Sequence, residues 1–484
     1  MSREWTKEER YKVFTDESEI APLYDKIKDS PYRQKYHIMP VTGLLNDPNG
    51  FIYMGGLWHL FYQWCPWGAV HGLKHWYHLV STDLAHWENV GLCVKPDTDY
   101  DNKGVYSGSG FAYDDRYYIF YTGNHRDEDW TRRPYTCAAE ITMANTARKL
   151  DKPLIKPNPD YTDNVRDPKI VYNEELKKYF IFLGAQTKDK KGRIIAYSSK
   201  DILGKYDFAG ELKVEGYEDF GEMWECPSVE RIDGKDVLIF CPQNIHLPNS
   251  GDAKDHNGYI VGDLDYEMLT FKPAGHFHVL DEGFDFYAAQ CAANSDRKIL
   301  SAWMGLPDSE YPTDDEDWSG CLTLPRELHV KGSRLTQAPV VELAGLRHHA
   351  VDATKETLPD GAELVIDTDG KDFALRLLSY EDGKGGILFT YDARKKSLTF
   401  DRSGLSQKLN EQYGNVRTHT AVSAVTRLRV FIDRSSVEIF VNDGDEVFTS
   451  RLFPRENEHH FHFDGKGEIK LFSLIHGVKE EFKI

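Results

Sequence analysis

Five stretches of this chain resemble one another at an interval of about sixty residues, and few folds accommodate such a period. They are Leu57-Trp-His-Leu-Phe-Tyr-Gln-Trp64, Arg116-Tyr-Tyr-Ile-Phe-Tyr-Thr-Gly123, Lys178-Tyr-Phe-Ile-Phe-Leu-Gly-Ala185, Asp236-Val-Leu-Ile-Phe-Cys-Pro-Gln243 and Lys298-Ile-Leu-Ser-Ala-Trp-Met-Gly305. Each is a short apolar, aromatic run ending in turn or small polar residues, the pattern of a buried strand. Aligned on Phe61, Phe120, Phe182, Phe240 and Ala302, the steps are 59, 62, 58 and 62 residues. Several short strands per unit at a regular period predict an all-β fold with a five-bladed β-propeller over residues 37–336. The step exceeds the usual propeller repeat, so the blades are expected to carry long loops.

A set of acids keeps the same period. Asp47 lies 14 residues before Phe61, Asp167 lies 15 before Phe182, and Glu225 lies 15 before Phe240. Each is followed by proline, at once in Asp47-Pro48 and Asp167-Pro168 and after one residue in Glu225-Cys226-Pro227. Ser107 and Tyr287 occupy the matching places 13 before Phe120 and 15 before Ala302. Equivalent positions in successive blades are equidistant from the axis. If the strand before each aromatic run is innermost, three carboxylates converge on one axial pocket.

The pattern changes near Gln337. Residues 337–350 look like a linker with a helical turn or two, and residues 351–484 alternate as short strands. Asn442-Asp443-Gly444 is a hairpin signal among them. This tail predicts a C-terminal β-sandwich. Residues 1–36 look polar and helical.

Composition narrows the partners. Lys and Arg number 59 against 78 Asp and Glu, a net charge of −19. Nucleic acid and anionic membrane both require a basic footprint, so neither is expected. No run of 18 apolar residues offers a membrane span. The charged N-terminus lacks a secretory apolar region, and seven scattered cysteines form no CxxC pair. Reduced thiols in the cytoplasm are the expectation.

Two carboxylates flanking a glycosidic bond are the recurring apparatus of glycoside hydrolysis, one ionised and one holding a proton. A third can fix sugar hydroxyls and steady positive charge at the anomeric carbon. Arg166, beside Asp167, would hold that third acid ionised. Zinc is the competing use of His71, His75 and His78, but no general-base motif accompanies them. Cys226 has no cationic partner in the sequence and is expected to pack behind Glu225.

Three segments carry a family resemblance: Gly43-Leu-Leu-Asn-Asp-Pro-Asn-Gly50, Arg166-Asp-Pro-Lys-Ile170 and Trp224-Glu-Cys-Pro-Ser228. They resemble the signature segments of glycoside hydrolase family 32, the β-fructofuranosidases. Phe61-Tyr-Gln63, Tyr106-Ser-Gly-Ser109, Asp285–Gln290, Trp318–Glu327 and, in the tail, Phe431–Gly444 are similar as well. The resemblance implies a propeller followed by a sandwich and a retaining mechanism without metal or other cofactor. Carried over by position, Asp47 is the nucleophile, Glu225 the acid/base and Asp167 the transition-state stabiliser. Asn46, Gln63, Ser107 and Arg166 match sugar-pocket positions, and Tyr287 a position near the acid/base.

One run departs from the family. Members commonly carry Trp-Gly-x-x-His-Trp-Gly-His, whereas this chain has His71-Gly-Leu-Lys-His-Trp-Tyr-His78. His71 replaces a pocket tryptophan and Tyr77 a glycine. Either Trp64 or Trp67 then supplies the aromatic wall, or His71 hydrogen-bonds the sugar. The implied activity is release of fructose from sucrose or sucrose 6-phosphate by an invertase-like enzyme of sucrose metabolism. Arg126, Arg132 and Arg133 are the candidates for meeting a phosphate, set against ordinary solvated charge. A hydrolase of short fructo-oligosaccharides is a second reading, and a non-catalytic carbohydrate-binding propeller a third.

Overall fold

The computed structural model describes residues 3–248 and 250–484. The fold is all-β. Up to Pro339 the chain forms five largely antiparallel sheets, each begun by a strand that precedes one of the aromatic repeats: Gly43–Met54, Val105–Tyr113, Tyr161–Asn173, Met223–Ile232 and Tyr287–Cys291. The aromatic repeats are the second strands, Leu57–Cys65, Arg116–Arg126, Lys178–Thr187, Lys235–Gln243 and Ile299–Trp303. Each first strand packs against the first strand of the next sheet, and the fifth packs against the first.

Apolar layers between consecutive sheets hold this arrangement. Ile52, Phe61 and Trp76 of the first sheet pack on Tyr117 and Ile119 of the second. Phe120 of the second meets Ile170 and Ile181 of the third. Phe182 and Ile194 meet Trp224 and Phe240, and Ile239 and Tyr259 meet Leu300 and Ala302. Leu45 and Tyr62 share a core with Tyr287 and Trp303, which joins the fifth sheet to the first. Buried alternate residues of aromatic and β-branched strands are what such layers require.

A one-residue bulge recurs in every first strand. Asn46 and Asp47, between Leu45 and Pro48, lie opposite the single residue Gln63 between Trp64 and Tyr62. The same slip occurs at Arg166/Lys169, Glu225/Ser228 and Tyr287/Gln290, and at Tyr106/Gly108. Proline at 48, 168 and 227 lacks the N–H that an unbroken ladder would use, so three of the bulges are written into the sequence. Asp167, Cys226 and Ala288 hold positive φ there, at 63°, 47° and 54°. The bulge re-aims the side chain beside it.

Two further sheets form the C-terminal part. A six-stranded sheet runs Arg347–Val351, Gly467–Leu474, Ala362–Thr368, Arg427–Asp433, Ser436–Val441, Glu446–Arg451. A five-stranded sheet is built around Phe373–Ser379 and Gly386–Asp392. They share one core, in which Leu364 and Ile439 meet Leu375, Phe389 and Phe400. Asn442 and Asp443 both adopt positive φ in the expected hairpin.

Two expectations differ from what is observed. The 337–350 segment is mostly structured: Gln337 ends strand Arg334–Pro339, Val341–Leu346 is a 3-10 turn, and Arg347 opens a strand. Buried Leu343 and Leu346 tie it to the core. The described residues of the N-terminal segment, 3–36, contain only two short helices, Lys7–Arg10 and Ala21–Ile27, and one 3-10 turn. Elsewhere the segment is irregular and turn-rich, held by partners on the surface it crosses. The Arg10 carbonyl accepts from Leu73 N at 2.8 Å and Lys12 O from Trp67 Nε1 at 2.7 Å.

Candidate active site

Asp47, Asp167 and Glu225 line one cavity of about 240 Å³. Asn46, Gln63, His71, Ser107, Arg166 and Tyr287 line it too. The five bulges bring them there, since each of these side chains except Gln63 and His71 lies at or next to a bulge.

Asp47 is held at both oxygens. Asn46 Nδ2 donates to Oδ1 at 2.9 Å, and the Ser107 hydroxyl donates to Oδ2. Asn46 Nδ2 also reaches Gln63 Oε1 at 2.8 Å, and Gln63 Nε2 donates to Ser107. Burial raises the Asp47 carboxyl above its usual range, while Ser107, the Lys74 charge and Asn46 oppose the rise. Fixed donors on a desolvated carboxylate leave its orientation little freedom.

Glu225 accepts four hydrogen bonds. Arg166 donates from Nε at 3.0 Å and Nη2 at 2.6 Å to Oε1. Gln243 Nε2 at 2.8 Å and the Tyr287 hydroxyl at 2.6 Å donate to Oε2. The expected pairing of Arg166 with Asp167 is therefore secondary, at 4.0 Å. The guanidinium lies along Glu225 because the bulge turns Asp167 toward the fourth sheet. Asp167 Oδ2 accepts instead from Cys226 N at 2.9 Å. Burial raises the Asp167 carboxyl, with Arg166 opposing and Glu225 adding. Cys226 thus serves Asp167 through its backbone. Its thiol is pushed well up by Cys241 and burial, which removes thiolate reactivity.

His71 lies edge-on to Trp303, with ring centroids 6.1 Å apart and planes at 76°. Its Nδ1 is 2.9 Å from Lys74 Nζ, and Lys74 also donates to Asn46 Oδ1. Burial and the Lys74 and Arg10 charges lower His71 well below its usual value, so the ring is neutral. An ammonium donating to Nδ1 places the ring proton on Nε2.

Neither tryptophan expected to replace the missing wall does so. Trp64 is fully buried, with Nε1 on Thr42 O at 2.7 Å, and Trp67 lies under Lys12 on the outer surface. The wall ring is Trp303, from the fifth sheet. Sequence reasoning also missed Lys74, Tyr106 and Gln243, which line the cavity. Trp303 and Gln243 end the second strands of their sheets and Gln63 lies two residues before the end of its own, so nearness to that strand end was a usable signal. Of the three candidate arginines, Arg133 is exposed and paired with Asp127 at 2.6 Å, Arg126 lies against Trp130, and Arg132 reaches the cavity.

His75 and His78 turn away from the cavity, to Leu73 O at 3.1 Å and Asn145 Oδ1 at 2.8 Å. Among the described residues no cluster of His, Cys, Asp and Glu could hold a metal. No helix among them is long and apolar enough to cross a membrane.

Known proteins agree with this geometry. Residues 37–339 match the Glycosyl hydrolases family 32 N-terminal domain and residues 333–476 its C-terminal counterpart. A sucrose-6-phosphate hydrolase of Staphylococcus xylosus is 40% identical over 94% of each chain, and that of Lactococcus lactis is 37% identical over 97% of this chain and 99% of its own. The sucrose-6-phosphate hydrolase structure from Lactobacillus gasseri superposes with a TM-score of 0.92 at 36% identity, covering 98% of this chain and 100% of the other. A Bombyx mori GH32 β-fructofuranosidase solved with sucrose gives 0.84 at 29%, over 96% and 98%. The chain belongs to glycoside hydrolase family 32.

Proposed function

We propose that this protein is a retaining β-fructofuranosidase that releases terminal β-D-fructofuranosyl residues from sucrose or sucrose 6-phosphate. The observation that carries the reading is the convergence of Asp47, Asp167 and Glu225 on one cavity, each with its own fixed donors. Asp47 attacks the fructose anomeric carbon and forms a covalent fructosyl ester as the bond to the leaving oxygen breaks. Glu225 gives its proton to that oxygen. It then takes a proton from water, which attacks the same carbon and frees Asp47. Asp167 stabilises the positive charge that develops on the ring in the transition state of each step. Asn46, Gln63, Ser107 and His71 face the sugar as hydrogen-bonding groups, and Trp303 offers an apolar face.

The frame for this chemistry is a five-bladed β-propeller followed by a β-sandwich. The neighbour relations of the five first strands and the shared core of the last two sheets support it. A cytoplasmic enzyme fits the seven cysteines, all buried and unpaired.

Fructose release from sucrose, sucrose 6-phosphate, 1-kestose and inulin tests the proposal. Asp47→Ala is expected to lower kcat/KM by at least ~10⁴-fold with the fold intact by circular dichroism. Undiminished release from that variant would falsify the assignment. A higher kcat/KM on kestose or inulin would make it a fructo-oligosaccharide hydrolase, and no release by the wild type a binding protein.

A further inference from the structure

The two sides of the leaving-group region differ in charge. Beyond Gln243, which holds Glu225, a recess of about 370 Å³ adjoins the catalytic cavity and shares Gln243 and Pro307 with it. Glu222, Asp252, Asp255 and Asp308 line the recess against the single cation Lys254. Burial raises Asp255 to about 6, with Glu225 and Asp308 adding to the rise. A phosphate placed there would meet four acids.

Beyond Arg166, on the other flank of Glu225, the charges are opposite. Arg132 is half-buried in the cavity wall, and its Nε donates to Asn124 Oδ1 at 2.9 Å. Its guanidinium lies 5.5 Å over the Tyr106 ring. Behind Tyr106, Tyr11 packs edge-on to Trp130 at 5.2 Å, and Trp130 gathers Lys7 at 3.2 Å, Arg126 at 5.5 Å and Lys103 at 5.8 Å. Among the described residues none of Lys7, Lys103, Arg126 and Arg132 has a carboxylate within ion-pair distance. Exposed Asp163 acts on Arg132 only through its field, without an ion pair, and burial and the Arg166 charge disfavour the charged form of Arg132. Four uncompensated cations at one mouth are unusual in a chain of net charge −19.

The other cavity cations are occupied. Arg166 spends Nε and Nη2 on Glu225 and Nη1 on Asn164, and Lys74 faces Asn46 and His71. The Nη1 and Nη2 groups of Arg132 donate to no protein atom among the described residues.

We propose that Arg132 binds the phosphate ester on the leaving sugar, with Lys7, Lys103 and Arg126 around Trp130 as the outer field that draws the dianion in. The acidic recess turns the same ester away from the opposite flank, so the leaving sugar has one favoured orientation. This rests on the proposed β-fructofuranosidase activity. A planar guanidinium with two free donors matches a phosphate bidentately, and a local basic rim overcomes the repulsion of the acidic surface.

The test compares kcat/KM on sucrose and sucrose 6-phosphate for the wild type, Arg132→Gln and Arg132→Lys, with glucose 6-phosphate as product inhibitor. Arg132→Gln should lose ~30-fold or more on the phosphorylated substrate, at least ten times its loss on sucrose. Inhibition by glucose 6-phosphate should weaken in parallel, while inorganic phosphate inhibits only feebly. Arg132→Lys should recover part of the preference. Equal losses on the two substrates, or no loss, overturn the role of Arg132 and leave the activity standing. A wild type that cleaves neither substrate overturns both.

Discussion

Lys74 is a buried cation without, among the described residues, a carboxylate partner in hydrogen-bond contact, and it is placed beside the nucleophile. It does two things at once. It fixes the tautomer of His71, a residue of the cavity wall, with the ring proton on Nε2, and its charge opposes the effect of burial on Asp47. The nucleophile must be ionised, so removing the cation moves the acid limb of activity upward. Lys74→Met keeps the side-chain length and is expected to shift the acid limb of the kcat/KM profile to higher pH. Activity should fall most at low pH. A profile merely scaled down, with its acid limb in place, would leave Lys74 a packing residue. Nothing in the local sequence announces this lysine. Its role follows from a loop folding back under Asn46, a contact across 28 residues. Asp47, Asp167 and Glu225 were legible because acid, proline and period coincide. Trp303 offered only its place near a strand end, because its part in the wall depends on the fifth sheet packing on the first.

At the scale of the strand, the recurrent bulge explains why the period could be read at all. A bulge turns one side chain out of the pleat and fixes its distance from the next aromatic strand, so acids recur at nearly constant spacing. Pairings without such a local mark stayed hidden. Trp318–Ser319 and Val478–Lys479 add parallel edges to the first sheet across hundreds of residues. Adjacent sheets are also pinned by charge. Glu230, in the first strand of the fourth sheet, accepts from Lys169 of the third at 2.5 Å and from Lys298 of the fifth at 3.0 Å. Burial opposes its ionisation, but the two lysines prevail and lower it to about 2. Glu230→Gln leaves two lysines facing a neutral group, at a cost of about 3 kcal/mol near neutral pH. A depressed carboxyl contributes fully above its unfolded value of 4.5 and loses that contribution as pH falls through about 2. Urea unfolding of variant and wild type should therefore differ at pH 7 and converge below pH 4.5. A constant difference across that range would assign the loss to packing.

The two parts of the molecule meet through a buried charge network rather than an apolar face alone. Arg326, at the start of a fifth-sheet strand, donates to Glu438 from Nε at 3.2 Å and Nη2 at 2.6 Å, and to Asp281 at 3.0 Å. All three side chains are fully buried. Glu438 and Asp433 belong to the six-stranded sheet and share His37, each at 3.0 Å, so the N-terminal segment is locked in as well. Burial tends to discharge His37, but its bonds to the two acids win and raise its pKa. Separating the parts would strand Arg326 and His37 on one side and two carboxylates on the other. Neither part can therefore melt without exposing the other. The wild type is expected to unfold in one calorimetric transition. Arg326→Met removes the cation and leaves Glu438 and Asp281 buried without it, which costs ~3–5 kcal/mol. Adding Glu438→Gln should recover part of that loss, because the second change removes one stranded charge. Two separate transitions in the wild type, or an Arg326→Met protein as stable as its parent, would mean that the sheets hold together by their apolar contacts and that the network only sets their orientation.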